Sequence, residues 1–133
     1  MIIADTCLIT HLFNETAHTQ TAQKVLKKDP CWILPAIWQE EYANVLSKLA
    51  RKERKPIELV LGHFQYTVEQ LKGSQLAVSN EKALRISIEY KISVYDAHFV
   101  SLAMDYNALL VTEDKEIVKN CPRHAVTMQN FLE

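Results

Sequence analysis

Glycine is nearly absent from this chain: 133 residues contain two, Gly62 and Gly73. A Walker loop, a dinucleotide fingerprint and a GxSxG elbow need glycine where the backbone turns tightly or approaches a ligand, and two isolated glycines cannot supply them. Cysteine is equally sparse. Cys7, Cys31 and Cys121 are odd in number, far apart and without a CxxC pair, so no zinc or redox motif is indicated and a reducing cytoplasm is the expected compartment. The longest uncharged apolar stretch, Cys31 to Trp38, contains Pro35 and is far short of the ~20 residues of a membrane helix. The opening Met1-Ile2-Ile3-Ala4-Asp5 has no basic leader and is interrupted by an acid, which disfavours secretion. Excess charge is lacking too. Lys plus Arg number 15 against 16 Asp plus Glu, a formal net charge of -1, so any nucleic-acid contact must be local or metal-assisted.

What is present fits an ordinary globular domain, with 48% hydrophobic and 23% charged residues. A chain of this length hides roughly two thirds of its unfolded surface and needs no disulfide or structural metal, so a single domain over residues 1–133 is expected. Short β-branched or aliphatic runs alternate with segments of helical period, the pattern of an α/β domain with a mainly parallel sheet. Strands are expected at Ile2 to Asp5, Trp32 to Leu34, Leu76 to Val78, Leu109 to Thr112 and Ala125 to Met128. Helices are expected at Glu15 to Lys28, Ala36 to Arg54, Ile57 to Lys72, Asn80 to Tyr90 and Val94 to Tyr106. In the second helix Trp38, Tyr42, Val45 and Leu49 form a core stripe, and Pro35 suits its first turn.

Four acids stand out by position. Asp5 closes the first strand and Asp114 lies two residues beyond the fourth, so both project from carboxyl ends of parallel strands, where open α/β sheets bind ligands. Asp96 opens the fifth helix in Ser93-Val94-Tyr95-Asp96, and Glu41 sits in the first turns of the second helix. Two readings stand side by side. Each acid can be a helix cap, Ser93-x-x-Asp96 being a capping box; alternatively, the four converge on one crevice. Asp5 and Asp96 are set in Ile-Ile-Ala-Asp and Val-Tyr-Asp-Ala, and an acid in apolar company needs a partner. Lys48, Arg51, Lys52, Arg54 and Lys55 crowd the end of the second helix, either as a grip on RNA or as a solvated helix end that favours the macrodipole. Tyr66 and Tyr90 are base-stacking candidates with core packing as the plainer reading. The histidines show no HExxH spacing, and His98, two residues after Asp96, is assigned to packing or to support of the site's carboxylates, not to metal ligation.

At these residues the chain resembles the PIN-domain metal-dependent ribonucleases, and within them the VapC toxins of toxin–antitoxin pairs. The likeness runs through Met1-Ile-Ile-Ala-Asp5-Thr6, Glu41-Tyr-Ala-Asn44-Val-Leu, Ser93-Val-Tyr-Asp96-Ala and Leu110-Val-Thr112-Glu-Asp114, nearly the whole chain in the family's order. It implies a three-layer α/β/α fold around a parallel sheet of four to five strands. It also implies Asp5, Glu41, Asp96 and Asp114 as the metal-binding and catalytic set, supported by Thr6, Asn44, Thr112 and Glu116. Cys7 departs from the Asn or Ser common there, Glu40 beside Glu41 makes the second acid ambiguous, and Glu113 and Glu116 flank the fourth. Oxygen ligands without a His or Cys cluster select Mg2+ or Mn2+ over zinc. The implied activity is hydrolysis of RNA, and the implied partners are a second copy of the chain and a small antitoxin. Apolar stripes at Leu12, Phe13, Val25 and Leu26 and at Leu59, Val60, Phe64 and Val68 are available to such a partner, with core packing as their default.

Three other readings are weighed against this one. A receiver domain needs a phosphoacceptor Asp near the middle of the chain, and the region from Lys55 to Gly73 contains none. A haloacid dehalogenase-type phosphatase needs Asp-x-Asp after the first strand, where this chain has Asp5-Thr6-Cys7. A PIN-like module that binds RNA or protein without cleaving stays open.

Overall fold

Ile2, Ile3 and Ala4 are all fully buried, as a strand covered on both faces requires. They form β1 (Ile2–Ala4), the middle strand in a computed structural model that describes residues 1–133. β1 pairs in parallel with β2 (Trp32–Pro35) on one side and β4 (Leu109–Val111) on the other, Ile3 standing opposite Ile33 and Leu110. The edge strands β3 (Gln75–Leu76) and β5 (Ala125–Val126) complete the parallel order β3-β2-β1-β4-β5.

The chain moves outward from β1 to β2 and β3, then crosses back to β4 and β5. Right-handed crossovers place the helices of the outward path on one face of the sheet and those of the return path on the other. The first set is α1 (Thr6–Phe13), α2 (Thr19–Lys28), α3 (Trp38–Glu53) and α4 (Ile57–Leu71); the second is α5 (Asn80–Tyr90), α6 (Val94–Tyr106) and α7 (Lys115–Asn120). A last short helix, α8 (Met128–Leu132), packs on α2. The result is a three-layer α/β/α architecture. Its direction reverses between β1 and β4, and the crevice outside their carboxyl ends is the topological switch point. α6 lies across β1, β2 and β4 beneath α5, which is why Ala97 and the run Phe99 to Ala103 are buried almost all round.

The structure departs from the expected elements at several places. α1 was not anticipated as a helix, and the expected Glu15 start moves to Thr19, whose hydroxyl accepts from the Thr16 amide at 2.9 Å and donates to the Asn14 carbonyl at 2.9 Å. Pro35 ends β2 instead of opening α3, beyond the last β1–β2 register pair at Ile33. The buried stripe of α3 is Trp38, Tyr42 and Leu46, with Val45 and Leu49 half-buried beside it. β3 is shorter and earlier than Leu76 to Val78, β5 ends at Val126, and α7 and α8 are added. The scarcity of glycine shows at helix ends: Arg54, Lys91 and Asn107 adopt the left-handed conformation at the C-caps of α3, α5 and α6, where glycine is the usual residue. No helix is long and apolar enough to cross a membrane.

Candidate functional site

Asp5 leaves β1 and starts α1. Its backbone N–H still bonds the Val111 carbonyl of β4, while its Oδ1 accepts from the Thr6 amide at 2.8 Å, so the carboxylate is fixed at the switch point. Its Oδ2 accepts from the Thr112 hydroxyl at the end of β4 and from the Cys7 thiol at 3.7 Å. Thr112 Oγ1 also accepts from the Asp114 amide at 3.0 Å; one fully buried hydroxyl thus ties both strand ends together. Asp114 caps α7, with Oδ1 accepting from the amides of Glu116 at 2.9 Å and Ile117 at 3.3 Å. Glu41 reaches in from the first turn of α3, its Oε1 accepting from the Thr6 hydroxyl at 2.7 Å. Asp96 stands in the first turn of α6, where its amide donates to the Ser93 hydroxyl at 3.0 Å.

Cap and converging site are therefore not alternatives here. Asp5 and Asp114 are caps, and capping is what aims them at the carboxyl edge of the sheet. Together with Glu41 and Asp96 they line one cleft of about 520 Å³, with Thr10, His11 and Asn44 among its other walls. Neither Lys nor Arg lines it, and none of the four ion pairs in the molecule includes any of these acids.

The uncompensated charge is visible in the acids themselves. Burial, reinforced by the Asp114 charge and opposed by the hydrogen bonds from Thr112 and Thr6, raises the Asp5 carboxyl above its ordinary range. Glu41 is pushed up to about 7, by burial first and then by the charges of Asp5 and Asp96, against the Thr6 hydrogen bond. Asp96 is pushed up to about 6, by burial first and then by Asp5. Carboxylates gathered without a cation fit a divalent ion, because a positive charge removes the repulsion that burial sharpens. No three His, Cys, Asp or Glu side chains close on one point as a preformed cage.

The flanking acids separate cleanly. Glu40 is exposed and turns to a neighbouring cleft that also includes Glu41 and Asn44. Glu113 borders the acid cleft, but its Oε1 accepts from the Met128 amide at 2.7 Å, at the start of α8. Glu116 is exposed outside the cleft, and its charge still reaches Asp96. Cys7 donates to Asp5 and accepts from the Glu113 amide at 3.4 Å, and burial next to Asp5 pushes its thiol far up, so it is a hydrogen-bonding spacer. His98 lies outside the cleft.

Lys48 and Lys52 follow Glu41 at i+7 and i+11, on the same face of α3. Arg51 instead donates to the Ser47 carbonyl of its own helix at 3.3 Å, Lys55 pairs with Glu53 at 3.1 Å, and Arg54 is the left-handed C-cap. The tyrosines expected from sequence are elsewhere: Tyr66 meets Phe13 edge-on and Tyr90 meets His124 edge-on. The residues missed were Thr10 and His11, which line the cleft because α1 is helical, and Tyr95, which lines the adjoining cleft. The signal for α1 was Asp5-Thr6 followed by Leu8, Ile9 and Leu12; the signal for Tyr95 was its place beside Asp96.

The family model for the PIN domain matches residues 2–121. The chain belongs to the PIN domain family. PIN domains are generally nucleases and generally use divalent metal ions. Two solved structures resemble this PIN domain. PAE2754 from Pyrobaculum aerophilum has a TM-score of 0.75 at 20% identity, over 98% of this chain and 85% of that one. A toxin–antitoxin complex from Klebsiella pneumoniae has a TM-score of 0.69 at 20% identity, over 96% of this chain and 98% of that one. No curated protein matches the chain significantly.

Proposed function

We propose that residues 1–133 form a single PIN domain that hydrolyses RNA with Mg2+ or Mn2+, as the toxin of a toxin–antitoxin pair in a reducing cytoplasm. The observation that carries this reading is the meeting of Asp5, Glu41, Asp96 and Asp114 at the switch point with no protein cation among them. Asp5, Asp96 and Asp114 would hold the ion, which when bound would supply positive charge to the phosphodiester and a water of lowered pKa. Glu41, with Oε1 fixed by Thr6, would serve as a further ligand or would orient the attacking water through its free Oε2. Asn44, one turn beyond Glu41, offers a neutral amide where the two clefts join. Lys48 and Lys52 continue the Glu41 face and receive the phosphates that leave the acids, a local grip that a chain of net charge -1 requires.

Thr112 sets the geometry through two bonds, to Asp5 and from the Asp114 amide. Thr112→Val keeps the shape and removes both. The expected outcome is metal affinity lowered about 10–100-fold, the usual cost of losing a group that orients a ligand, as read by Mn2+ titration; unchanged affinity would remove Thr112 from the site.

The neighbouring toxin–antitoxin structure supports a protein partner, and likeness to VapC toxins supports a homodimer. Leu12, Phe13, Val25, Leu26, Val60, Phe64 and Val68 pack on or within the core, which leaves Leu59 of the expected stripes exposed, with Val60 beside it reaching the same surface groove. With Leu46 and Leu49 they line a groove of about 300 Å³ between α3 and α4, where we place the antitoxin. The direct test of activity is incubation of the partner-free protein with a structured RNA, with Mn2+ and then with excess chelator. Fragments that accumulate only with free metal are the expected result; RNA that is bound yet intact under every metal condition would favour the non-catalytic module.

A further inference from the structure

The acid cleft has an annex. A second open cleft of about 660 Å³ is lined by Ala36, Ile37, Glu40, Glu41, Asn44 and Tyr95, and it shares Glu41 and Asn44 with the first. Tyr95 forms one wall. It is 61% exposed, sits in the first turn of α6 directly before Asp96, and its ring stacks on no other aromatic. The other aromatics near the expected roles are spent on internal contacts: Tyr42 on Phe64, Tyr66 on Phe13, Tyr90 on His124. A large ring left bare, one residue from a carboxylate of the site, contributes little to the core and has a flat face to offer.

The walls define what can enter. Glu40 and Glu41 make the annex acidic and no Lys or Arg lines it, so a phosphate is repelled. Ala36 and Ile37 provide an apolar floor, which suits an uncharged planar group. Along α3 the order is annex near the N-terminal turn, then Glu41, then Lys48 and Lys52 toward the C-terminal end; Glu41 and Lys48 are seven residues apart, a rise of about 10 Å. A single strand laid along this helix, with its scissile phosphate at the acids, has its backbone on the cations and a neighbouring base over the annex.

We propose that Tyr95 is a positioning residue that stacks the nucleobase flanking the scissile phosphate of single-stranded RNA, with the Ala36–Ile37 floor completing the subsite. The inference rests on the nuclease reading for the meaning of the scissile phosphate, though the stacking itself does not require cleavage. Aromatic stacking of this kind tolerates any base, so Tyr95 confers a preference for unpaired RNA and leaves sequence choice to other groups.

The test uses the full chain and a short single-stranded RNA carrying the fluorescent base 2-aminopurine, whose emission falls on stacking. The wild-type protein is expected to quench the probe, and Tyr95→Ala to abolish quenching and lower kcat/KM about 10–100-fold, mostly through KM, as the loss of one stacked base predicts. Tyr95→Phe should keep both, since the face of the ring is retained. Mn2+ affinity should be the same in all three, which separates a positioning role from loss of the metal site. Equal quenching and equal kcat/KM in Tyr95→Ala would overturn the proposal while leaving the nuclease intact. Quenching that depends on Tyr95 in a protein that cuts no RNA would support the stacking subsite and overturn the nuclease reading.

Discussion

Asp96→Asn is expected to lower metal-dependent RNA cleavage by about 10³-fold or more, the range for removing one strong electrostatic element from a reacting centre. The same substitution is expected to stabilise the metal-free protein at pH 8. Burial and the charge of Asp5 hold Asp96 at about 6, so the folded state resists its ionisation more than the unfolded chain does. For an acid raised on folding, the folded form binds the extra proton, and stability falls as pH rises from the ordinary value near 4 through the folded value. Asp5, Glu41 and Asp96 all have this sign. The metal-free parent should therefore lose thermal stability as pH rises from about 4 through 7, by linkage through these groups. Asp96→Asn removes one contribution, so its Tm should exceed that of the parent at pH 8 and approach it at pH 4. Saturating Mn2+ should reverse the order at pH 8, because an ion that binds only the folded parent stabilises it by mass action. Thermal melts of both proteins at two pH values, with and without Mn2+, check every arm; a variant less stable than the parent at pH 8 without metal would show that Asp96 is structural.

Tyr42→Ala should have the largest effect on folding, about 3–5 kcal/mol by the general cost of deleting a buried aromatic. Tyr42 is fully buried, tilted against Trp38 at 5.7 Å and stacked near Phe64 at 6.1 Å. Its hydroxyl joins three elements: it accepts from Asn14 Nδ2 at 3.1 Å past the end of α1, and bonds His63 Nε2 and Thr67 Oγ1 of α4, each at 3.2 Å. Tyr42→Phe isolates this knot. It keeps the ring and leaves polar partners without their bond, for an expected cost of about 1–3 kcal/mol. Urea unfolding of the two variants separates packing from hydrogen bonding, and equal stabilities of Tyr42→Phe and the parent would mean that the knot contributes nothing. Because Tyr42 follows Glu41 on α3, loosening the helix should also weaken cleavage, with Tyr42→Ala more affected than Tyr42→Phe.

Sequence patterning reached the sheet and the long helices because their signals are local. Ile2 to Ala4 and Leu110 to Val111 are apolar runs too short for helices, α3 carries a helical period, and α5 and α6 open on the side-chain caps Ser79 and Ser93. It failed at α1, where the period of Leu8, Ile9 and Leu12 runs over only eight residues, about two turns, and is too short to stand out beside the longer helices. The same miss hid Thr10 and His11. The four acids were visible because strand ends and helix starts share one edge in a parallel sheet. Glu41 is preferred to Glu40 already by the register of the Tyr-Ala-Asn-Val-Leu that follows it, and the Thr6 hydroxyl, a contact across 35 positions in the chain, shows what fixes its carboxylate in the cleft. Setting Glu113 aside needed the Met128 amide. Five cations at the end of α3 look alike in sequence, and only the helix geometry puts Lys48 and Lys52 in line with Glu41.

The central claim is that the four carboxylates at the switch point hold a divalent ion that cuts RNA. Calorimetric titration of Mn2+ into the purified, partner-free protein and its Asp5→Asn variant, with RNA cleavage followed on the same samples, tests it most directly. Saturable binding by the wild type, together with metal-dependent cleavage, and loss of both in a variant that keeps its helical circular dichroism, is the predicted result. Failure of both proteins to bind would contradict it and reduce the acids to helix caps, with the cleft left as a binding surface.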